Sequence, residues 1–257
     1  MLYQITSYFK YILHSRNKHG VHSPFVYNFV TGCLNDSGFY KEYSLLDKQR
    51  KSLYNSDLQI EMTDFGEGSR VFKTNLRSVS QLARKTGVSK KRQRLLFRTA
   101  RYFECNHILE LGTSLGMATS ALALACPAAR IHTVEGCENT QKTAEENFQK
   151  LNLKNITSHQ SRFSDFLIYH PDRKYDLIYL DGDHNGKRSL EYFEFLLPKT
   201  HNDTVLILDD IYWSREMTAA WEKIKSHPQV TVSIDTFQWG IIFFRKEQAK
   251  QHFTIRT

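Results

Sequence analysis

The sequence predicts an α/β protein: a doubly wound sheet of seven strands, five parallel and the last two an antiparallel hairpin, behind a helical N-terminal extension. Three observations predict it. From residue 107 onward, short β-type apolar runs alternate with helix-length segments, and crossovers of that length force parallel pairing with helices on both faces. The runs 230–237 and 240–246 are separated by two residues, too few for a helical crossover, so they read as a hairpin. The charge also changes sign: residues 1–101 hold 18 Lys/Arg against 7 Asp/Glu, whereas 102–257 hold 17 against 20. That shift sets an expected boundary between a basic helical part, 1–101, and an α/β domain, 102–257.

Within the extension, Ser23 before Pro24 is a helix start, with apolar Phe25, Val26, Phe29 and Val30 at helical spacing behind it. Gly32 and Gly38 bracket its end, 64–69 (DFGEGS) reads as a loop, and 92–103 as a helix leading into the sheet. Strands are expected at 107–112, 130–135, 155–160, 175–181 and 204–210, and helices at about 116–126, 138–151, 163–169, 187–197 and 215–226. No repeat or low-complexity segment interrupts them.

At 257 residues the chain suffices for one such domain plus an extension. It has no apolar run near the roughly 18–20 residues that cross a bilayer. The opening MLYQITSYFKYILHSR lacks an apolar signal core, so no secretory leader is expected. Cys33, Cys105, Cys126 and Cys137 have no metal-ligand spacing. Reduced thiols in a cytoplasmic protein are the plain reading.

The chemistry begins at 107–116, HILELGTSLG. Gly112 lets the backbone turn at the strand end, and Gly116 lets the next helix approach closely. The spacing is G-x-x-x-G, not the G-x-G-x-x-G of dinucleotide binders, which together with the closing hairpin disfavours an NAD-dependent oxidoreductase. Glu110 before the turn would repel a pyrophosphate but suits a cationic amino-acid group. Glu135 ends the second strand 19 residues after Gly116, the offset of a ribose-binding carboxylate. An acid capping the following helix is the alternative.

The run Glu110-Leu111-Gly112-Thr113-Ser114-Leu115-Gly116 resembles the first motif of class I S-adenosylmethionine-dependent methyltransferases. Ser114 stands where the middle glycine is usual, as in O-methyltransferases similar to the catechol and caffeoyl-CoA enzymes. The seven-strand, Rossmann-like layout agrees. The resemblance covers roughly 105–246 and extends loosely into HGVHSPFVYNFV near the N-terminus. It implies S-adenosylmethionine held by Glu110, Gly112, Thr113, Ser114 and Gly116, with Glu135 and Gly136 at the ribose and Arg162 and Phe163 at the adenine. Phe163 reads equally well as core packing.

Acids end two further strands: Asp181 in LDGDH and Asp209–Asp210 in LDD. Like charges on one sheet rim repel unless a cation lies between them. In the catechol-type enzymes these positions hold a divalent ion, so the resemblance implies Mg²⁺ on Asp181, Asp209 and Asp210, lowering the pKa of an acceptor hydroxyl. Asp181 alone reads as a cofactor contact in metal-free relatives. His184 stands three residues after Asp181, where the catechol-type enzymes carry a lysine base; histidine is a workable base.

His19, His22 and Ser23 are candidates for a substrate entrance, against a helix start with exposed histidines. Tyr212 and Trp213 are candidates to wall an aromatic pocket, against core packing; Trp239 reads as packing. The segment 78–94, SVSQLARKTGVSKKRQR, looks like a helix-turn-helix, with eight Lys/Arg and no acid between 84 and 101. It runs straight into the first strand, which disfavours nucleic-acid readout. The leading expectation is O-methylation of a small hydroxylated acceptor. An RNA methyltransferase and a non-enzymatic DNA-binding regulator are the alternatives. No membrane partner is expected, and a homodimer is compatible with the sequence.

Overall fold

The computed structural model describes residues 2–63, 75–170 and 173–256; the loop expected at 64–69 lies outside them. In chain order the elements are α1 (Leu2–His14), a 3-10 turn (Lys18–Gly20), α2 (Pro24–Phe29) continued by a π-helical turn (Val30–Leu34), and α3 (Tyr43–Tyr54). Then come β1 (Gln59–Glu61), β2 (Leu76–Ser78), α4 (Val79–Lys85), α5 (Lys90–Tyr102), β3 (His107–Leu111), α6 (Met117–Ala125), β4 (Arg130–Glu135) and α7 (Glu138–Lys150). The rest is β5 (Ile156–Gln160), α8 (Phe163–Tyr169), β6 (Leu177–Leu180), α9 (Gly186–Leu196), β7 (Val205–Asp209), α10 (Arg215–Ser226), β8 (Val232–Asp235), β9 (Trp239–Phe243) and β10 (Gln251–Thr254). No helix among the described residues is long and apolar enough to cross a membrane.

By packing, the chain forms two compact units: a middle unit, Asp36–Phe166, and a terminal unit, Met1–Asn35 with Leu167–Thr257. This division differs from the boundary near position 101 drawn from charge.

In the middle unit β4 pairs in parallel with β3 and with β5. Helix α6 is buried on nearly every face, from Met117 to Ala125, as expected of a helix apolar all round. Its first turn is held from α3 and α5. Gln49 Nε2 donates to Ser120 Oγ at 2.9 Å, Gln93 Nε2 donates to the Met117 carbonyl at 2.7 Å, and Arg50 donates to Gln93 Oε1 at 2.7 Å. The expected helix at 92–103 starts two residues earlier because Ser89 Oγ caps it, accepting the Arg92 N–H.

The basic letters of 84–101 fold back on the unit itself. Arg84 lies over the Tyr54 ring and donates to the Tyr54 carbonyl. Lys90 and Arg94 share Asp47 Oδ2 at 2.9 and 3.0 Å. Arg94 also covers the Tyr43 ring, and Arg101 covers Tyr40.

In the terminal unit β6 and β7 are parallel, β9 is antiparallel to both β7 and β8, and the expected hairpin closes with Asp235 opposite Gly240. One strand was not expected. β10 adds in parallel to β8, so among the described residues the strands outside the small β1–β2 pair number eight where the sequence suggests seven. Its QHFT letters carry no alternation of polarity, and tertiary pairing makes the strand: Gln251 N–H donates to the Thr231 carbonyl and Ile255 N–H to the Asp235 carbonyl, both at 2.8 Å. Helix α1 is anchored by Tyr11, whose hydroxyl donates to the Ile255 carbonyl at 2.6 Å. Phe25 and Phe29 of α2 meet Phe243 edge-on.

Candidate functional site

In the middle unit the backbone leaves β3 through Gly112 at φ +110°. The N–H groups of Gly112 and Thr113 both donate to the Val134 carbonyl, at 3.0 and 3.3 Å, stitching the loop to β4. Ser114 follows at φ +47°, and Gly116 opens α6 at φ +75°. A Cβ at Gly116 would stand 2.4 Å from the Phe148 ring of α7, so only glycine permits this approach of loop and helix.

Glu135 lies at the tip of β4 with its carboxylate fixed on both sides. Ser114 N–H donates to Oε2 at 2.9 Å and Cys137 N–H donates to Oε1 at 3.0 Å. The second bond reaches the residue just before α7. Gly136 and the end of β5 are drawn together: Gln160 Nε2 donates to the Gly136 carbonyl and Ser161 N–H to the Glu135 carbonyl. Arg162, exposed, and Phe163, half-buried, open α8 directly after. Glu110 is fully buried and accepts hydroxyls from Thr119 and Thr133, each at 2.5 Å. Thr133 also meets Thr113. Glu110 thus ties β3, β4 and α6 from within. One unit therefore brings together loop 112–116, Glu135, Gly136, Arg162 and Phe163.

In the terminal unit the apolar strand β6 ends at Asp181, which accepts the Tyr179 hydroxyl at 2.8 Å. Asp183, unnoticed in the sequence, pairs with Arg188 at 2.5 Å and accepts the Tyr192 hydroxyl at 2.8 Å. Burial, then that bond, pushes the Tyr192 phenol well above its ordinary pKa. β7 delivers a buried Asp209, whose Oδ1 accepts the Asp210 N–H at 2.9 Å. His184 Nε2 stands 4.0 Å from Asp210 Oδ2, and its ring lies 5.2 Å from that of Trp213. Asp183, His184 and Asp210 all have positive φ, +71°, +34° and +51°. Such left-handed backbone in non-glycine residues is costly and concentrates at functional sites.

Asp210 is also on the wall of a cavity of about 490 Å³, with Tyr8 and Phe9 of α1, Tyr212, Trp213 and Phe237, and the amides of Gln4 and Gln238. Pockets for small ligands run from roughly 300 to 1,000 Å³ and are mostly apolar with a few polar groups. Tyr212 stacks on Phe237 at 5.0 Å, and Tyr8 meets Phe237 edge-on at 4.9 Å. Tyr212 and Trp213 thus line this cavity. The α1 aromatics were missed, although TSYFKY carries three rings within one helical turn and a half.

The Tyr212 hydroxyl donates to Asp235 Oδ2 at 2.6 Å. Burial raises the Asp235 pKa, and this hydrogen bond is the largest opposing influence. Tyr212→Phe is therefore expected to raise it further and to destabilise the protein by about 1–3 kcal/mol at neutral pH. A carboxyl whose pKa is raised on folding loses stability as pH rises through the folded value. The deficit should grow from acid toward neutral pH, as chemical denaturation at several pH values would show. An unchanged deficit across that range would refute the assignment.

His22 lines a different cavity in the same unit. The expected divalent ion lacks its ligand set: among the described residues no three His, Cys, Asp or Glu side chains group so as to hold a metal. Asp181 is turned to Tyr179, Asp209 to the Asp210 amide, and Asp210 toward His184. The residues do not fit a three-carboxylate ion site.

Residues 109–211 match the family model described as a methyltransferase domain. Similar solved structures include the O-methyltransferase TomG of Streptomyces achromogenes in complex with SAM, at 20% identity over 62% of this chain and 81% of that one, TM-score 0.54. The Bacillus cereus O-methyltransferase in complex with SAH is 18% identical over 85% and 96%, TM-score 0.56. The SAH-bound Podospora anserina methyltransferase PaMTH1 is 13% identical over 88% and 97%, TM-score 0.59. At such identities the likeness shows the fold, mixed α/β and Rossmann-like.

Proposed function

We propose that this chain, which matches a methyltransferase-domain family model over residues 109–211, moves a methyl group from S-adenosylmethionine to a hydroxyl oxygen of a small aromatic acceptor. The observation that carries this reading is the aromatic-walled cavity with Asp210 in its wall and His184 4.0 Å from that carboxylate. When bound, S-adenosylmethionine supplies a methyl group on a positively charged sulfur.

The chain's own residues do the rest. Loop 112–116 turns at three positive-φ positions, and Glu135, held by two amides, is set to accept ribose hydroxyls. Arg162 and Phe163 belong to the same cofactor set, and Asp181 keeps the cofactor-holding role that the resemblance implies. Glu110, being buried, is a positioning residue for the loop. The rings of Tyr8, Tyr212, Trp213 and Phe237 orient a planar acceptor and exclude water. His184 takes the acceptor's hydroxyl proton as the C–O bond forms, and Asp210 stabilises the imidazolium produced. The basic residues of 84–101 are read as packing groups, because Arg84, Lys90, Arg94 and Arg101 are engaged within the middle unit. Nucleic acid is therefore not the proposed acceptor.

Calorimetric titration with S-adenosylmethionine and with NAD, each with and without EDTA, tests the reading. S-adenosylmethionine should bind and NAD should not, and Glu135→Ala should weaken the binding. With a panel of simple phenols, formation of S-adenosylhomocysteine should be indifferent to EDTA. NAD binding would sink the cofactor assignment, and turnover restored only by an added divalent ion would sink the metal-free one.

A further inference from the structure

We infer that the second cavity of the terminal unit is a binding site for a phosphate group. This cavity holds about 370 Å³, and its wall includes His14, Arg16, His22 and His252 but no carboxylate. The first acidic residue of the chain is Asp36, so residues 1–35 bring Lys10, Arg16, Lys18 and three histidines with no countercharge. A cavity walled by one sign of charge concentrates ions of the other.

The wall is built, not accidental. Arg16 N–H donates to the Thr254 carbonyl at 2.8 Å and the Arg16 carbonyl accepts the Arg256 N–H at 3.0 Å, so its backbone is locked to the β10 edge. Its side chain lies against Gly20, where a Cβ would come within 2.9 Å of Arg16 Cδ. The glycine of the KHGVHSPF segment thereby makes room for the arginine stem. His14 Nδ1 is 2.7 Å from the Lys10 carbonyl. A carbonyl only accepts, so Nδ1 carries the proton and the ring is held by it. His252 Nδ1 is 2.7 Å from Ser233 Oγ. Burial lowers the His252 pKa, and the positive charges of Lys225 and Lys250 lower it further against Glu222.

Three histidines in one cavity suggest a metal, but no three His, Cys, Asp or Glu side chains among the described residues group to hold one. An arginine fork with the hydrogen-bonding imidazoles of His22 and His252 beside it matches a tetrahedral dianion, which offers oxygens on several sides where a carboxylate offers two. The phosphate belongs either to a soluble molecule or to a lipid headgroup. The second source has a structural counterpart: α1 leads to His14 and Arg16 with Leu2, Ile5, Phe9 and Leu13 exposed on one stripe, of which Ile5 and Phe9 also line the first cavity.

The full chain is to be titrated with inorganic phosphate against chloride at matched ionic strength, following histidine ring resonances and thermal unfolding. His14, His22 and His252 signals should shift together, and phosphate at about 100 times its Kd should lower the apparent unfolding constant about 100-fold. Arg16→Gln should weaken binding by about 10- to 100-fold, and His22→Asn should weaken it less while leaving the backbone lock of Arg16 intact. Flotation with phosphatidylcholine vesicles, with and without phosphatidic acid, separates the sources: retention that needs phosphatidic acid and Arg16 identifies a headgroup. The inference fails if neither phosphate up to on the order of 10 mM nor the acidic vesicles engage the chain. It fails equally if both variants respond like the unmodified protein.

Discussion

Gly116→Ala is expected to destabilise the protein by about 2–5 kcal/mol, from overpacking of roughly 1–3 plus a left-handed backbone cost of roughly 1–2. The added Cβ would lie 2.4 and 2.8 Å from two carbons of the Phe148 ring and 3.3 Å from Ala144 Cβ. Neither neighbour yields easily, since Phe148 and Ala144 are both buried on α7. At about 2–4 °C per kcal/mol for a chain near this size, the midpoint in a calorimetric melt should drop by roughly 4–20 °C. The two causes are separable. Phe148→Leu in the Gly116→Ala background should recover the steric part and leave the φ +75° cost, so the double-mutant cycle should show favourable coupling. A melt unchanged by Gly116→Ala, or strict additivity of the two changes, would mean that the loop can sit elsewhere. Affinity for S-adenosylmethionine should fall in parallel, because Gly116 begins α6 and the Ser114 amide that holds Glu135 is two residues away.

Much of the architecture is legible in the sequence wherever one segment carries its own periodicity or punctuation. β3, β4, β6 and β7 are short apolar runs ending in an acid or a glycine, and their observed ends fall within two residues of the expected ones. Ser23, Ser89 and Ser214 each cap a helix by accepting an amide. The unreadable parts are those made by pairing at a distance. β10 is half-exposed and polar and exists through its bonds to β8. β1 and β2 are three residues each, too short to show alternation. Helix α2 runs on past Phe29 as a π-helical turn that includes Gly32, so a glycine taken as an end marker lies inside the helical stretch.

The candidate site divides in the same way. The Gly112–Gly116 loop and Glu135 are visible because spacing alone fixes their relation, and Ser114 N–H to Glu135 Oε2 makes that relation a bond. Charge at adjacent strand ends was a weaker guide: it marked Asp181, Asp209 and Asp210 as a set, whereas each carboxylate has its own partner within the terminal unit. Sequence proximity to a strand end does not say where an acid's oxygens turn. Asp183 and Tyr8 escaped notice for the opposite reason, because their partners Arg188 and Phe237 are determined by the fold.

His184→Ala is expected to lower kcat by about 10²- to 10⁴-fold, the usual contribution of a positioned base, with affinity for S-adenosylmethionine unchanged in calorimetry. The imidazole lies 4.0 Å from the Asp210 carboxylate, and Asp210 lines the aromatic cavity. A purely structural role is a real competitor, because the His184 ring packs 5.2 Å from Trp213 and its removal loosens a wall. The two roles separate kinetically. Loss of a wall raises KM for the acceptor and spares kcat, whereas loss of the base lowers kcat and is partly restored by free imidazole. Asp210→Asn should also lower kcat, since it removes the charge that stabilises the protonated ring, and free imidazole should not restore it. If His184→Ala turns over normally with only KM raised, proton removal belongs to another group and His184 only supports Trp213.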